Sequence, residues 1–280
     1  MKDVQILKKF IDKNYPIPRI TYEMFEQFIG DDIENLVSVN QSSSNKSVII
    51  ITTDFAYKFM YHNSEVTEDL DMTSLNLLDY NREALPLYLD SENVISIKKL
   101  SITPNISIIK YEKLDPVSKN ESITNILIML AEISIAFNNI HSHNFAHNDV
   151  YLDNIGVGSN GDYIVYDFEL AKPFTNPSED MFNDINIFLE DMIRTYENKV
   201  HIHNFFKTLQ DKFHELYKID TGKKKKTFKR SFTVYNYTYK VNDFREMLFP
   251  IIGLYITNLE NGMENSDNIN TVTQFIITEF

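Results

Sequence analysis

His147-Asn148-Asp149-Val150-Tyr151-Leu152-Asp153-Asn154, followed by Tyr166-Asp167-Phe168-Glu169, is the stretch that decides the predicted fold. Asp149 and Asn154 place a carboxylate and an amide five residues apart in one loop, and a second carboxylate, Asp167, follows the next predicted strand. Mg²⁺ prefers oxygen ligands of this kind, and a carboxylate can also orient or deprotonate a hydroxyl. The pattern therefore predicts phosphoryl transfer from ATP, which needs a positioned hydroxyl and a bound Mg²⁺.

A short β-hairpin is predicted between these two motifs. Ile155-Gly156-Val157 and Tyr163–Tyr166 are short apolar runs, and the turn Gly158-Ser159-Asn160-Gly161-Asp162 joins them. Acidic residues then lie at the open end of the hairpin. The alternative is that these acids and amides are ordinary turn formers in an Asn- and Asp-rich chain. The order, the spacing and the hairpin context all favour the functional interpretation.

The segment resembles the catalytic loop and the metal-binding motif of the protein-kinase-like fold. Ile140–Ala146 resembles the run that leads into that loop in protein kinases. The resemblance implies an α+β, bilobal chain, with a small antiparallel β-sheet lobe carrying one helix and a larger, mostly helical lobe. We expect an N-terminal extension over residues 1–30, the small nucleotide-binding lobe over 31–114 and the large catalytic lobe over 115–280.

Composition bounds the protein further. The 280 residues are 43% apolar, carry a net charge of −13 and include no cysteine, which excludes disulfides and thiolate metal sites. We expect no membrane partner, because the longest apolar runs, Ile126–Ala131 and Met247–Ile256, are too short to cross a bilayer. With no secretory core after Met1, we expect an intracellular, cytoplasmic protein, in the host cytoplasm if the source is viral.

The small lobe is predicted to begin with three strands. Asn40–Lys46 joins the first two, and in the kinase-like fold this hairpin covers the ATP phosphates and usually carries a glycine-rich motif. Here it contains no glycine, although its serines and asparagines could still donate hydrogen bonds. The predicted strands are Leu36–Val39, Ser47–Thr52 and Phe55–Met60.

Ala56-Tyr57-Lys58 in the third strand resembles the lysine motif of protein kinases, in which the lysine contacts the α- and β-phosphates. The resemblance also implies a carboxylate that holds Lys58, and Glu83 within a predicted helix over Leu75–Leu89 is our choice. An exposed strand lysine and a solvated surface glutamate are the structural alternatives. Other acidic candidates precede this helix, namely Glu65, Glu68 and Asp69.

Two further strands, Val94–Leu100 and Ile106–Glu112, lead to the predicted connector between the lobes. In the kinase-like fold, backbone groups of this connector meet the adenine. The resemblance therefore assigns adenine binding to Tyr111, Glu112, Lys113 and Leu114.

A long apolar stripe predicts a core helix over Glu121–Asn144, which leads to His147. We expect His147 to brace the loop by hydrogen bonds to the backbone. Asp184 resembles the aspartate that anchors the catalytic loop from the following helix. Only 17 residues separate Asp167 from Asp184. A segment this short is similar to that of the RIO kinases, of the small atypical kinase of the tRNA-modification complex and of some viral kinases. A switch driven by phosphorylation of this segment is therefore not expected.

The remaining chain is predicted to be mainly helical, with helical patterns over 185–218 and closing helices over 241–280 that Pro250 and Gly253 interrupt. Lys223–Arg230 is the one basic cluster, and a solvated loop is the favoured interpretation. We do not expect nucleic acid as a partner, except for binding by this basic cluster.

The resemblance implies an ATP- and Mg²⁺-dependent atypical serine/threonine protein kinase acting on a protein hydroxyl. Lys58, Glu83 and Asp149 would be catalytic, and Asn154 and Asp167 would bind Mg²⁺. Tyr151 stands where protein kinases commonly have lysine. Two alternatives stay open. One is a small-molecule kinase similar to the choline, ethanolamine and aminoglycoside phosphotransferases, and the other is a pseudokinase that acts as a binding module.

Overall fold

The computed structural model shows a chain of α+β class, as the sequence predicted, which divides into two compact units. The first unit comprises the described residues as far as Tyr88 together with Ile95–Leu114. The second comprises Leu89–Val94 and the described residues from Asp115 onward. The described residues are 27–41, 47–61, 81–89, 91–103, 106–217, 219–220, 227–228, 232–234, 237–239 and 244–279.

Four of the predicted features lie wholly or partly outside the described residues. They are the N-terminal extension as far as residue 26, the glycine-free loop at 42–46, the start of the predicted helix at 75–80, and most of the basic cluster at 222–226 and 229–230.

The first unit is built on one antiparallel sheet with the strand order β1-β2-β3-β5-β4. Four of its strands closely match the predicted strands, whereas the fourth starts three residues later than predicted, at Ile97. The strands are β1 (Leu36–Gln41), β2 (Ser47–Thr52), β3 (Phe55–Tyr61), β4 (Ile97–Thr103) and β5 (Ile106–Glu112).

The central strand β3 is covered on both faces. Tyr57 and Lys58 are adjacent and therefore point to opposite sides of the sheet. Tyr57 donates a hydrogen bond to Asp32 in the 3₁₀ turn Gly30–Asn35, whereas Lys58 forms an ion pair with Glu83 in the 3₁₀ turn Arg82–Tyr88. Among the described residues, a short 3₁₀ turn thus contacts the sheet on each of its faces.

The segment around Glu83 differs from the predicted helix. Within the part of Leu75–Leu89 that the structure describes, the chain forms the 3₁₀ turn Arg82–Tyr88, with Pro86 inside it. Proline has no amide hydrogen and its ring clashes with the carbonyl four residues earlier, so an α-helix is disfavoured there. Glu83 itself is buried, as a residue that holds a lysine would be.

Asp32 joins the first 3₁₀ turn to two strands of the sheet. Lys110, which lies opposite Tyr57 in the β3–β5 register, donates to Asp32 Oδ2 at 2.8 Å. The hydrogen bonds from Lys110 and then from Tyr57 lower the pKa of Asp32, although burial acts against them. Phe28 adds an edge-to-face contact with the Tyr57 ring at 6.2 Å.

We predict that Asp32 makes the stability of the protein sensitive to acid. Because the pKa of Asp32 is lower in the folded chain than its unfolded value of 3.8, its contribution is present above pH 3.8 and is lost as the pH falls towards the folded value. Asp32→Asn should reduce the free energy of unfolding by about 1 kcal/mol at pH 7 and by much less at pH 3. Urea unfolding at both pH values measures this difference.

The exposed neighbour Asp31 supplies the control for this prediction. Asp31→Asn removes the same charge one residue away and should leave the difference between the two pH values as in the wild type. An equal loss of stability for Asp32→Asn at pH 3 and pH 7 would show that ionisation of Asp32 contributes nothing.

The second unit contains small antiparallel sheets and five α-helices among the residues that the structure describes. One sheet has the order β6-β8-β9, and its β8–β9 hairpin is the one predicted. The short strands are β6 (Asp115–Pro116), β7 (Phe145–Ala146), β8 (Ile155–Val157), β9 (Tyr163–Val165), β10 (Lys172–Pro173), β11 (Ile219–Asp220), β12 (Thr227–Phe228), β13 (Phe232–Val234) and β14 (Tyr237–Tyr239). The helices are α1 (Ile123–Ser142), α2 (Pro177–Thr195), α3 (Val200–Tyr217), α4 (Phe244–Glu260) and α5 (Asn265–Glu279).

Helix α1 is the core helix that the apolar stripe predicted. Ser122 caps its start by accepting a hydrogen bond from the Asn125 amide at 3.1 Å. Among the described residues it is the one helix that is long and apolar enough to cross a membrane, which corrects the expectation that no apolar stretch reaches that length. Half of its apolar window is buried inside the protein, and core helices pass the same test.

Helix α4 corrects the prediction that Pro250 and Gly253 interrupt the C-terminal helices. The helix runs from Phe244 to Glu260 through both residues. Pro250 lies on the exposed side, where water can hydrogen-bond the backbone carbonyl that the proline leaves without a donor. Burial of Leu248, Ile251 and Tyr255 on the opposite side then stabilises the continuous helix.

Candidate active site

Asp184 holds the start of the predicted catalytic loop. Its carboxylate is fully buried and accepts hydrogen bonds from the amides of His147 at 2.8 Å and Asn148 at 2.7 Å. Its Oδ2 atom also lies 2.9 Å from Nε2 of His141, the buried histidine near the end of α1. The predicted anchoring of the loop by Asp184 is therefore confirmed, and α1, the loop and α2 are joined at one carboxylate.

The loop takes a tight course that asparagine tolerates better than most residues. Asn144 and Asn148 have positive φ values of 62° and 64°, a left-handed conformation that is uncommon outside glycine. The side chain of Asn148 donates to the carbonyls of Ala146 and Leu170, each at 3.2 Å. These bonds hold the turn that presents Asp149.

Asp149 and Asn154 are directly joined. The Asn154 side-chain amide donates to the Asp149 carbonyl and to Asp149 Oδ2, both at 2.8 Å. With the NH₂ group used in this way, Oδ1 is the Asn154 oxygen left to face a cation. Both side chains are partly exposed, so a solute can reach them. The spacing of five residues therefore produces one closed polar loop.

Asp167 is connected to the same loop through Tyr166. The Tyr166 amide donates to the Asn154 carbonyl at 3.0 Å, and the Tyr166 carbonyl lies 3.1 Å from His147 Nε2. Asp167 itself is left-handed, with φ 64° and ψ 70°, which is strained for a residue other than glycine. The side chain of Phe168, the residue after Asp167, is fully buried and holds the chain on that side of Asp167. The structure thus joins Asp149 and Asn154 by hydrogen bonds and ties Tyr166, the residue before Asp167, to the same loop.

His147 braces this region as an uncharged ring. Burial lowers its pKa, and the nearby charges of Asp184, Asp167 and Asp149 oppose that effect without overcoming it. The neutral ring can donate from Nε2 to the Tyr166 carbonyl, and it packs against Phe168 with 4.6 Å between ring centroids. Its Nδ1 atom has no hydrogen-bond partner among the described residues. These contacts agree with the bracing role predicted for His147.

The short segment after Asp167 is tied back to the start of the loop. Strand β10 pairs with β7, and the Phe174 amide donates to the Asn144 carbonyl at 2.8 Å. Buried Asp180 accepts from the amides of Thr175 at 2.7 Å and Asn176 at 2.9 Å. Burial alone would raise the pKa of Asp180, but these amides and the charge of Lys172 outweigh it and lower the pKa. Asp180 is therefore held as a carboxylate.

The first unit contains the other predicted pair. Lys58 and Glu83 form a buried ion pair, so the two residues chosen from the sequence do meet. Glu83 also accepts a hydrogen bond from the Tyr111 hydroxyl at 3.1 Å. The alternative acids Glu65, Glu68 and Asp69 lie outside the described residues.

The predicted adenine connector has backbone and side-chain contacts of its own. Tyr111 and Glu112 are the last residues of β5, and the Glu112 Oε2 atom lies 3.8 Å from the Lys98 Nζ atom. The Lys113 amide donates to the Asp54 carbonyl at 3.1 Å. This amide is therefore already used within the first unit, and Leu114 ends that unit.

Sequence reasoning missed three groups that build the site. Asp191 accepts a hydrogen bond from the Leu152 amide at 2.8 Å, and Asp180 and His141 act as described above. Asp180, Asp184 and Asp191 are spaced four and seven residues apart, which places them on one face of α2. An acidic stripe on a helix face that also carries buried apolar residues was the available indication.

Comparison with known proteins adds no family assignment. No protein-family model matches the chain, and no curated protein sequence matches it.

We predict that Asp184 and Asp191 protect different amides of the loop. Asp184→Asn neutralises a buried carboxylate that contacts the amides of His147 and Asn148 and the His141 ring. It should lower the free energy of unfolding by about 3–5 kcal/mol. Asp191→Ala removes the acceptor of the Leu152 amide and should cost about 1–3 kcal/mol. Urea unfolding measures both losses of stability.

Hydrogen exchange followed by NMR makes each variant the control for the other. The amides of His147 and Asn148 should lose protection only in Asp184→Asn, and the Leu152 amide should lose protection most in Asp191→Ala. Unchanged protection of His147 and Asn148 in Asp184→Asn would contradict the anchoring role.

Proposed function

We propose that the chain is an ATP- and Mg²⁺-dependent phosphotransferase of the bilobal protein-kinase-like fold, and that it acts as an atypical serine/threonine protein kinase. The observation that carries the proposal is the hydrogen-bonded region formed by Asp149, Asn154 and the residues preceding Asp167. Transfer of a phosphoryl group needs oriented groups more than covalent chemistry, and a loop held by Asp184 supplies such orientation.

Asp149 is proposed to receive or orient the hydroxyl that attacks the γ-phosphate. Its carboxylate is partly exposed, and one of its oxygens is fixed by the Asn154 amide. The other oxygen can then face an acceptor hydroxyl. The carboxylate would accept the hydroxyl proton as the new oxygen–phosphorus bond forms.

Asn154 and Asp167 are proposed to hold Mg²⁺. The donor set fits this ion, because an amide oxygen and a carboxylate oxygen are both hard ligands. Tyr166, the residue before Asp167, donates its amide hydrogen to the Asn154 carbonyl. Mg²⁺, when bound, would neutralise charge on the phosphates. The left-handed backbone of Asp167, fixed by its neighbours Tyr166 and Phe168, would set the direction of its side chain.

Lys58 is proposed to contact the α- and β-phosphates of ATP, and Glu83 to hold the lysine. The ion pair is buried and therefore strongly oriented, since neither side chain is free to sample water. Tyr111, Glu112, Lys113 and Leu114 remain the proposed adenine-binding residues. Because the Lys113 amide already donates to Asp54, the neighbouring backbone groups would supply the hydrogen bonds.

A small-molecule phosphotransferase is the second candidate, and Tyr151 is the observation that favours it. Tyr151 stands two residues after Asp149 and 37% of its surface is exposed, whereas protein kinases commonly carry lysine at this position. An exposed aromatic ring beside the base suits a small cationic alcohol. The run from Glu112 to His147 is only 35 residues, which leaves little room for the insert usual in that group.

We predict that turnover depends on Asp149 and Asp167 and not on their neighbour Asp153. With labelled ATP and Mg²⁺, Asp149→Ala and Asp167→Ala should each lose at least about a hundredfold in rate, because each removes a group that acts in the transition state. Asp153→Ala removes an exposed carboxylate from the same loop and should retain the rate.

The same assay should offer a casein-type protein and a panel of amino alcohols and aminoglycosides. Label on the protein acceptor supports the proposed protein kinase, whereas label confined to a small alcohol selects the second candidate. Equal activity in Asp149→Ala, Asp167→Ala and the wild type would contradict both.

We predict that Mg·ATP stabilises the folded chain even though residues 40–46 contain no glycine. A ligand present at about 100 times its Kd adds about 2.7 kcal/mol to the free energy of unfolding, so Tm should rise by several degrees. The rise should be smaller in Lys58→Met and should require Mg²⁺. No change of Tm at saturating Mg·ATP, together with no turnover, would leave the pseudokinase as the better account.

A further inference from the structure

We propose that Tyr111 is a positioning residue that holds Glu83 against Lys58. The inference rests on the function proposed for Lys58, and it gives the side chain of Tyr111 a role separate from the backbone role in adenine binding. The hydroxyl of Tyr111 donates to Glu83 Oε2 at 3.1 Å, while Lys58 pairs with Oε1. The two carboxylate oxygens of Glu83 therefore have different partners from two different strands.

Strand register places these partners on one face of the sheet. Lys58 of β3 lies opposite Ile109 of β5, and Tyr111 follows two residues later on the same strand. Residues two apart on a strand share a face, so Lys58 and Tyr111 both point to the side that Glu83 occupies. The hydroxyl of a tyrosine extends far enough from β5 to reach the carboxylate beside the lysine.

A second connection from the same strand holds the backbone of Glu83. Ser107 lies four residues before Tyr111 and thus on the same face of β5. The Asn81 side chain donates to the Ser107 hydroxyl at 2.9 Å, and its oxygen accepts from the Glu83 amide at 3.0 Å. Strand β5 therefore fixes Glu83 at its main chain through Asn81 and at its carboxylate through Tyr111.

The two connections have a chemical consequence for Lys58. Glu83 is 1% exposed and Lys58 is 7% exposed, so each charge depends on protein groups in place of water. The Tyr111 hydroxyl stabilises the ionised carboxylate and limits its rotation. A fixed carboxylate holds the lysine amine in one direction, so strand β5 supports the ion pair in the absence of nucleotide.

The first test measures the reactivity of Lys58 directly, without reference to catalysis. Limited acetylation of the full chain with acetic anhydride, followed by peptide mass spectrometry, gives the rate at Lys58 relative to Lys110. Lys110 is an internal standard, because it lies on the opposite face of the same sheet and pairs with Asp32. Only the unprotonated amine reacts, so a weaker hold by Glu83 raises the ratio.

Three variants give the scale. Glu83→Gln removes the carboxylate and sets the upper limit of the ratio. Tyr111→Phe removes only the hydroxyl and should raise the ratio by about three- to tenfold towards that limit. Tyr196→Phe is the matched control, because Tyr196 is 1% exposed and its hydroxyl has no hydrogen-bond partner among the described residues. It should leave the ratio unchanged.

A ratio in Tyr111→Phe equal to that of the wild type would overturn the proposal. Equal acceleration at Lys58 and Lys110, which leaves the ratio constant, would also overturn it, because that result reports general loosening of the sheet. An increase of the ratio confined to Tyr111→Phe and Glu83→Gln supports it.

The second test connects the hydroxyl to the phosphates. In the labelled-ATP assay, Tyr111→Phe should raise KM for Mg·ATP by about three- to tenfold with a smaller change in kcat, because it weakens a contact to bound nucleotide. A rise in the acetylation ratio with KM unchanged would overturn the link to nucleotide binding. If the wild type itself has no turnover, the proposed function fails, and the acetylation ratio still decides whether Tyr111 holds the pair.

Discussion

A single buried carboxylate, that of Asp184, is the constraint on which the proposed catalytic loop depends. It accepts hydrogen bonds from two consecutive backbone amides and lies beside the His141 ring, all without access to water. Buried donors of this kind cost free energy when they have no acceptor, so the loop has one favourable course past α2. The left-handed backbone at Asn148 becomes tolerable because its amide is held.

A buried carboxylate also organises the first unit, where Glu83 has the role that Asp184 has in the second unit. Each is a fully buried carboxylate with both oxygens occupied by groups from separate segments. A buried charge is costly unless it is paired and hydrogen-bonded, and once satisfied it fixes several side chains at once. Both proposed reactive groups, Lys58 and Asp149, are therefore oriented by a neighbouring buried acid rather than by a flexible surface contact.

Local sequence patterns predicted much of the secondary structure and several of the candidate site residues. The apolar runs around Gly158–Asp162 predicted the β8–β9 hairpin, and four strands of the first unit closely match the strands predicted from the sequence. Asp184 and Glu83 were chosen because the resemblance to the kinase-like fold implies acids at these places in the chain. The second hydrogen bond to Glu83 could not be found in this way, because it depends on the register of β5 against β3. The α-helical prediction around Glu83 gave too little weight to Pro86. The roles of Asp180 and Asp191 on α2 could not be predicted, because their amide partners are known only once the course of the loop is known.

The central proposal is that Asn154 and Asp167 hold a metal ion on the phosphates of ATP while Lys58 contacts those phosphates. The most direct measurement is an experimental structure of the full chain with Mg²⁺ and a non-hydrolysable ATP analogue. The account predicts Mg²⁺ with oxygens of Asn154 and Asp167 at about 2.0–2.1 Å, and the Lys58 amine on the α- or β-phosphate. An analogue bound away from these three side chains, or an ion ligated by neither Asn154 nor Asp167, would contradict it.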